Sequence, residues 1–395
     1  MKESSIFLDQ HLAQTTMFPF ALRIVSADGI FLTADDGKKY MDMISGVGVN
    51  GSGHNNRFII DAIKKQLDKH MHVMVYGEYL QESQIDAAKI LTSLLPKSLD
   101  SCYFVNSGTE AIEASLKLAK RITGRTKIIS FKGAYHGSTH GSMSVSANET
   151  KKAAFRPLLP DVHFIRFNIH NDLESIDETT ACVVLETIQG DAGVRIPDKA
   201  YMKALRKKCD EFGVQLILDE IQCGIGRAGT MFAFEQFGIV PDILALGKGL
   251  GGGMPVGCMV SSKEKMQLLT TNPMLGHIST FAGHPVICAA VAANLRWMID
   301  HNIVNNVEEK GKQIEERLIK HPRIQAIRRR GLFFAIDMDS ADTVQHVVEN
   351  CLANGLISFW FLSCPASFRI APPLIISNDE VDKACNIIWT ALDSI

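Results

Sequence analysis

Lys248 closes an apolar run, Ile243 to Leu246, within DILALGKGLGGGMPVG, and glycines follow it. No acidic residue adjoins it in sequence. A lysine so placed loses hydration without an evident partner, which lowers its pKa and makes it a nucleophilic amine near neutral pH. That chemistry suits a Schiff base, and the glycines let backbone pass close to a bulky cofactor. Three other segments end in comparable residues. After CYFV, the turn Asn106-Ser107-Gly108 leads into a helix pattern opened by Thr109, with Glu110 in its first turn. This is an anion site suited to phosphate, or an ordinary N-cap on Ser107 or Thr109. After KIISF comes Tyr135, with His136 beside it; the ring suits a flat aromatic ligand, or is a core or rim residue. QLILDE carries Asp219, and a carboxylate at the end of a buried strand requires a cation or donors. That cation is either a structural salt-bridge partner or part of a ligand.

The elements that must position these residues follow from the apolar pattern. CYFV, KIISF, VHFIRF, ACVVLE, QLILDE and DILALG are short apolar runs alternating with helical stretches. Such runs are expected as strands buried on both faces of a mostly parallel sheet. In such sheets ligands bind beyond the carboxyl ends of the strands, where these residues fall. Asp28-Gly29 and Asp36-Gly37 punctuate an N-terminal hairpin. After the long helix pattern GHPVICAAVAANLRWMI, amphipathic helices and a few strands such as GLFFAIDM predict a smaller α+β domain. The expected division is 1–45 joining the small domain, 46–290 as the large domain, and 291–395 as the small C-terminal domain.

One cofactor uses all four parts: pyridoxal 5′-phosphate (PLP). Its phosphate needs the helix N-terminus, its ring a stacking partner, its pyridinium N–H a carboxylate and its aldehyde a lysine. GIGRAG at Gly224–Gly229 formally matches a dinucleotide motif, but EIQC separates it from the preceding strand and no strand–acid follows at the right distance. Gly247-Lys248 is not a P-loop, because Gly249 follows the lysine and Asp242 stands five positions before Gly247.

Bulk properties narrow the function classes. The chain has 395 residues, 46% of them apolar, and a net charge of −2, which argues against nucleic acid as a partner. Arg328–Arg330 in IRRRG is expected as a solvated turn or helix end. Nine cysteines without a CxxC pair fit reduced thiols, with neither a disulfide framework nor a zinc site; no metal is expected. MKESSIFLDQ lacks a signal-peptide core and no apolar run reaches membrane-span length, so the expected location is cytoplasmic.

With NSGTEA, AYHGST, LETIQGDAGV, LILDEIQCGIGRAG, PDILALGKGLGGGMPVG, ISTFAGHP and FRIAPP in this order, the sequence resembles the class III PLP-dependent aminotransferases of fold type I, in the acetylornithine and ornithine aminotransferase branch. The resemblance spans nearly the whole chain. It implies Lys248 as the Schiff-base lysine, Asp219 as the pyridinium partner, and Gln222 near the cofactor's phenolic oxygen. Ser107, Gly108 and Thr109 match the phosphate loop, Tyr135 the stacking ring with His136 beside it, and Glu186 a glutamate under the cofactor. Thr280 matches a threonine reaching the phosphate from the neighbouring subunit, which implies a homodimer with shared sites. Arg369 matches the arginine that holds a substrate carboxylate, a task its fork suits; Asp191 and Tyr76 are the other substrate-side candidates.

The chain departs from the family pattern at Thr187, commonly proline, and at Asp191, often glutamate. In the family that glutamate pairs with the carboxylate-binding arginine and swings aside for a dicarboxylate. Aspartate is one methylene shorter. WFLSCPAS before Arg369 also differs from classical ornithine and acetylornithine enzymes. The expected activity is transfer of an amino group from an ω-amine or basic amino acid (acetylornithine, ornithine, lysine or 4-aminobutyrate type) to 2-oxoglutarate by a ping-pong route. The alternatives are an aminomutase or racemase on the same scaffold, a non-catalytic PLP-binding protein and, more distantly, a nicotinamide oxidoreductase built on GIGRAG.

Overall fold

A computed structural model describes residues 11–16 and 19–395. Near the N-terminus, β1 (Ile24–Asp28), β2 (Phe31–Ala34) and β3 (Lys39–Asp42) form an antiparallel ribbon. The middle of the chain supplies β4 (Ser101–Val105), β5 (Lys127–Phe131), β6 (Val162–Ile165), β7 (Thr180–Glu186), β8 (Gln215–Asp219), β9 (Ile243–Gly247) and β10 (Gly257–Ser261). The last third adds β11 (Ala326–Arg330), β12 (Phe333–Asp337), β13 (Leu356–Ile357), β14 (Phe359–Trp360) and β15 (Ser367–Ile370).

The central sheet runs β4-β10-β9-β8-β7-β5-β6. All its pairings are parallel except those of β10, which lies antiparallel between β4 and β9. The apolar run GCMVS that forms β10 escaped the strand reading because it follows the glycine-rich loop without an intervening helix. Strands β7, β8 and β9 are buried at every residue, as their unbroken apolar sequences require. Their side chains alternate between two cores. Val183, Leu185, Leu216, Leu218, Leu244 and Leu246 face one, and Val184, Ile217, Ile243 and Ala245 the other.

The helix Gly108–Thr123 packs on the second core through Ala111, Ile112, Ala114 and Leu118. Its start is fixed by Ser107, whose hydroxyl accepts from Glu110 N at 3.4 Å, while Glu110 Oε2 accepts from Asn106 N at 2.6 Å. Gly124 ends it in the left-handed conformation, φ 68°.

The first ribbon is extended by β13, parallel to β3, giving the order β1-β2-β3-β13. A third sheet runs β11-β12-β15-β14. Here the arginine run departs from the expected turn or helix end: Arg328–Arg330 lie in β11. Ion pairs allow it, Arg328 with Asp337 across the β11–β12 pair and Arg329 with Glu308 and Glu315. Arg227, 3% exposed, donates to Leu332 O and Pro372 O and so ties the loop after β8 to this last part of the chain. Among the described residues all nine cysteines are free, and no helix is long and apolar enough to cross a membrane.

Candidate active site

Strand register assembles the centre. β7 and β8 pair Glu186 directly with Asp219, so two carboxylates emerge side by side at the carboxyl ends of neighbouring strands. Lys248 begins immediately beyond β9, which pairs with β8. Its backbone is left-handed, φ 43°, a conformation that costs a non-glycine residue about 1–2 kcal/mol and persists only where the surroundings impose it.

Lys248, Asp219, Glu186, Tyr135, His136, Gly108, Thr109 and Gln222 line one cavity of about 230 Å³. Ser107 caps the helix at its rim. The structure shows the N-cap on Ser107, and Gly108 and Thr109 of the same helix start line the cavity.

Asp219 is 4% exposed and fixed through both oxygens. Oδ2 pairs with His136 Nδ1 at 2.7 Å, and Oδ1 accepts from Ile221 N at 3.0 Å. His136 Nε2 is buried without a partner. Glu186 accepts from Tyr135 N at 3.0 Å and Gly190 N at 2.8 Å. Burial, opposed by His136 and reinforced by the Asp219 charge, pushes its pKa up to about 7. Burial also lowers the Lys248 pKa, with Asp219 and Glu186 working the other way. The lysine therefore has acidic company that its own stretch of sequence does not show.

Thr109 Oγ1 lies 2.8 Å from Thr139 Oγ1 and 2.5 Å from Ser142 Oγ. Gly137 closes over it at φ 129°, where a Cβ would overlap the Thr109 hydroxyl. Gly190 is needed for a similar reason, since a Cβ there would overlap Gln222 Oε1.

Arg369 and Asp191 are not among the residues that line this cavity. Arg369 is 7% exposed, its Nη2 is 3.5 Å from Asp191 Oδ1, and its guanidinium lies 4.4 Å from the centre of the Phe361 ring. Its charge reaches Lys248, whose pKa it helps to lower. Two expected residues are not brought in. Tyr76 lines a separate cavity with Tyr103 and Ser279, and Thr280 is exposed. Conversely, Ile188, Ile221 and Cys223 line the site without having been singled out. Cys223 directly follows Gln222 and Ile221 directly follows Asp219-Glu220, but a single apolar residue between polar neighbours carries no distinguishing mark.

The site meets the demands of PLP in this chain's own atoms. It offers a buried carboxylate, a lysine with a lowered pKa, a helix N-terminus approached by bare backbone at Gly137, and an unpartnered buried imidazole nitrogen. Comparison decides the family: the model of the Aminotransferase class-III family matches residues 13–392.

The chain belongs to the class-III aminotransferases. Class-III aminotransferases depend on PLP, which is accordingly the cofactor here. Curated relatives agree. An acetylornithine aminotransferase of Methanopyrus kandleri is 36% identical over 97% of this chain and 96% of its own length. A [LysW]-aminoadipate semialdehyde/glutamate semialdehyde transaminase of Sulfurisphaera tokodaii is 37% identical over 92% of this chain and 93% of its own. Among solved structures, ornithine aminotransferase from Toxoplasma gondii superposes with a TM-score of 0.90 at 27% identity, covering 98% of this chain and 93% of the other. The fold of this class-III aminotransferase is thus fold type I, an α/β architecture with a mostly parallel central sheet and smaller separate sheets.

Proposed function

We propose that this class-III aminotransferase takes an amino group from an ω-amine or basic amino acid and delivers it to a 2-oxo diacid, 2-oxoglutarate, in two alternating half-reactions. The carrying observation is Arg369: a buried guanidinium whose charge acts on Lys248, its Nε without a partner, suited to grip a carboxylate through two parallel hydrogen bonds. Relatives named acetylornithine aminotransferase and [LysW]-aminoadipate semialdehyde/glutamate semialdehyde transaminase support the donor class.

Bound PLP supplies the electron sink. This chain's residues do the rest. Lys248 Nζ, whose pKa burial lowers, would serve as the base that takes the proton from the donor's reacting carbon and the acid that returns it. Asp219, braced by His136, would hold a proton on the ring nitrogen. Tyr135, Gln222 and Glu186, which line the cavity, would hold the ring, and Gly108 and Thr109, with the N-cap Ser107, would receive the phosphate. Arg369 would orient the acceptor's carboxylate, with Asp191 Oδ1 3.5 Å from its Nη2.

Thr280 fits the same reading through a second copy of the chain. Thr280 lies on a surface that also exposes Met274, Leu275, Ile278 and Phe281. Pairing such faces would bring Thr280 to the partner's phosphate site and make the homodimer the working unit. In mixed dimers, a Lys248→Ala subunit is paired with a Thr280→Ala subunit. The one intact lysine site then keeps an intact threonine from its neighbour, and normal PLP affinity is expected there; weakened affinity would place Thr280 in its own subunit's site.

A panel of ω-amines and basic amino acids, scored by glutamate formation from 2-oxoglutarate, tests the activity. Turnover of an amino acid without any 2-oxo acid would instead favour the aminomutase or racemase reading.

A further inference from the structure

Two residues outside the set above, Lys151 and Ser363, contact Asp191. Asp191 Oδ2 accepts from Ser363 Oγ at 2.6 Å and from Lys151 Nζ at 3.4 Å, while Oδ1 is 3.5 Å from Arg369 Nη2. The serine contact is a short charge-assisted hydrogen bond; the arginine contact is at the outer limit for one. The direction of the serine bond is also set. Asn148 Nδ2 donates to Ser363 Oγ at 3.1 Å, so the hydroxyl's own hydrogen is left to point at Asp191. Asn148 and Lys151 lie on one short segment, and the Lys151 ammonium is 5.5 Å from the centre of the Tyr135 ring.

Arg369 is left short of acceptors. It is 7% exposed, its Nε has no partner, and its carboxylate contact is the long one to Asp191. A buried cation in that condition favours any carboxylate that can approach it bidentately. Asp191 has the charge to do so, but its shorter bonds go elsewhere.

We propose that Ser363, oriented by Asn148, and Lys151 tether Asp191 away from Arg369, so that the guanidinium stays open to a substrate carboxylate. The inference rests on the reading of Arg369 as the carboxylate site. Ser363 and Lys151 are positioning residues that act through Asp191. Without the tether, Asp191 closes on Arg369 and competes with the incoming diacid.

Glutarate, a diacid with no reactive carbonyl, separates binding from turnover. Its Kd for the PLP-loaded protein is measured by titration calorimetry. Ser363→Ala changes no charge and is expected to raise Kd about tenfold, the scale of one hydrogen bond to an ionised group. Lys151→Met is expected to raise it as well, and Asp191→Ala to lower it. Ser363→Thr, which keeps the hydroxyl, restores parent affinity. In an Asp191→Ala background, Ser363→Ala is expected to change Kd by less than about twofold, because two residues acting as a unit are not additive. Parent-like thermal unfolding of each variant checks that the fold persists. A Ser363→Ala protein with the parent Kd, or the same weakening with and without Asp191, overturns the tether and leaves the carboxylate site standing. Absence of glutarate binding to the parent protein overturns both.

Discussion

Asp219 and Asp191 are both buried aspartates near a cation, yet they are held in opposite ways. Asp219 spends each oxygen on a short bond, to His136 and to Ile221 N, at the end of a fully buried strand. Asp191 lies in a loop and divides itself among Ser363, Lys151 and Arg369 at 2.6, 3.4 and 3.5 Å. The first arrangement fixes a charge in one place, which suits a group that must hold one proton throughout a reaction. The second leaves a charge that can change partners at little cost, which suits a site that must admit and release carboxylates.

Substitutions that break one side of this contrast should therefore differ in size. Lys248→Ala is expected to have the largest effect, at least about 10³-fold on turnover, because it removes the group that moves the proton. Single-turnover kinetics with saturating amine would show it. Asp219→Asn comes next, with proton transfer slowed by roughly 10²–10³-fold as the fixed charge is lost. Near-parental kinetics would mean that the ring nitrogen is held by another residue. Arg369→Ala should lower kcat/KM for 2-oxoglutarate by about 10²-fold or more, the scale of truncating one member of a buried charge pair. Arg369→Lys should recover only part of this, since an ammonium lacks the fork. An amine without a carboxylate should react nearly normally in both variants; equal losses for both substrate kinds would make the arginine structural.

The last expected effect concerns stability rather than turnover. The Glu186 carboxyl is raised to about 7 in the folded protein, above its ordinary 4.5. Between those values the unfolded chain releases a proton that the native state keeps, so this group lowers stability as pH rises from about 4.5 to about 7. Below the window it contributes nothing, and above it the penalty is complete. In Glu186→Gln that contribution disappears. The difference between parent and variant in unfolding free energy, taken without PLP, should change across the window by a few kcal/mol, on the order of 1.4 per pKa unit. A difference that is flat with pH would show that burial does not hold this carboxyl protonated.

The contrast also explains what the sequence discloses. Strand β8 could be read from QLILDE because an unbroken apolar run ending in a carboxylate has few uses, and the Asn106–Thr109 turn because capping and anion binding need the same small polar residues. The partner of Asp219 on its own side, His136, lies 83 positions away, and only the sheet brings the two together. The acidic company of Lys248 was hidden for the same reason. Strand β10 lacked a helix to announce it, and the arginines of β11 were read as solvated because their acidic partners sit up to 21 positions away. Lys151 carried no signal at all, and Ser363 only its place in WFLSCPAS, a segment that departs from the family pattern without saying why. Their importance comes from a contact spanning 172 positions, and neither residue type is unusual where it stands.

The central claim is that Lys248 is the residue that carries the cofactor. Reduction of the purified protein with borohydride, followed by peptide mass mapping, tests it without relying on any substrate. The account predicts one reduced pyridoxyl-phosphate group on the peptide containing Lys248, and none there in Lys248→Ala. A group attached to a different lysine of the parent protein, with amino transfer intact, would contradict it.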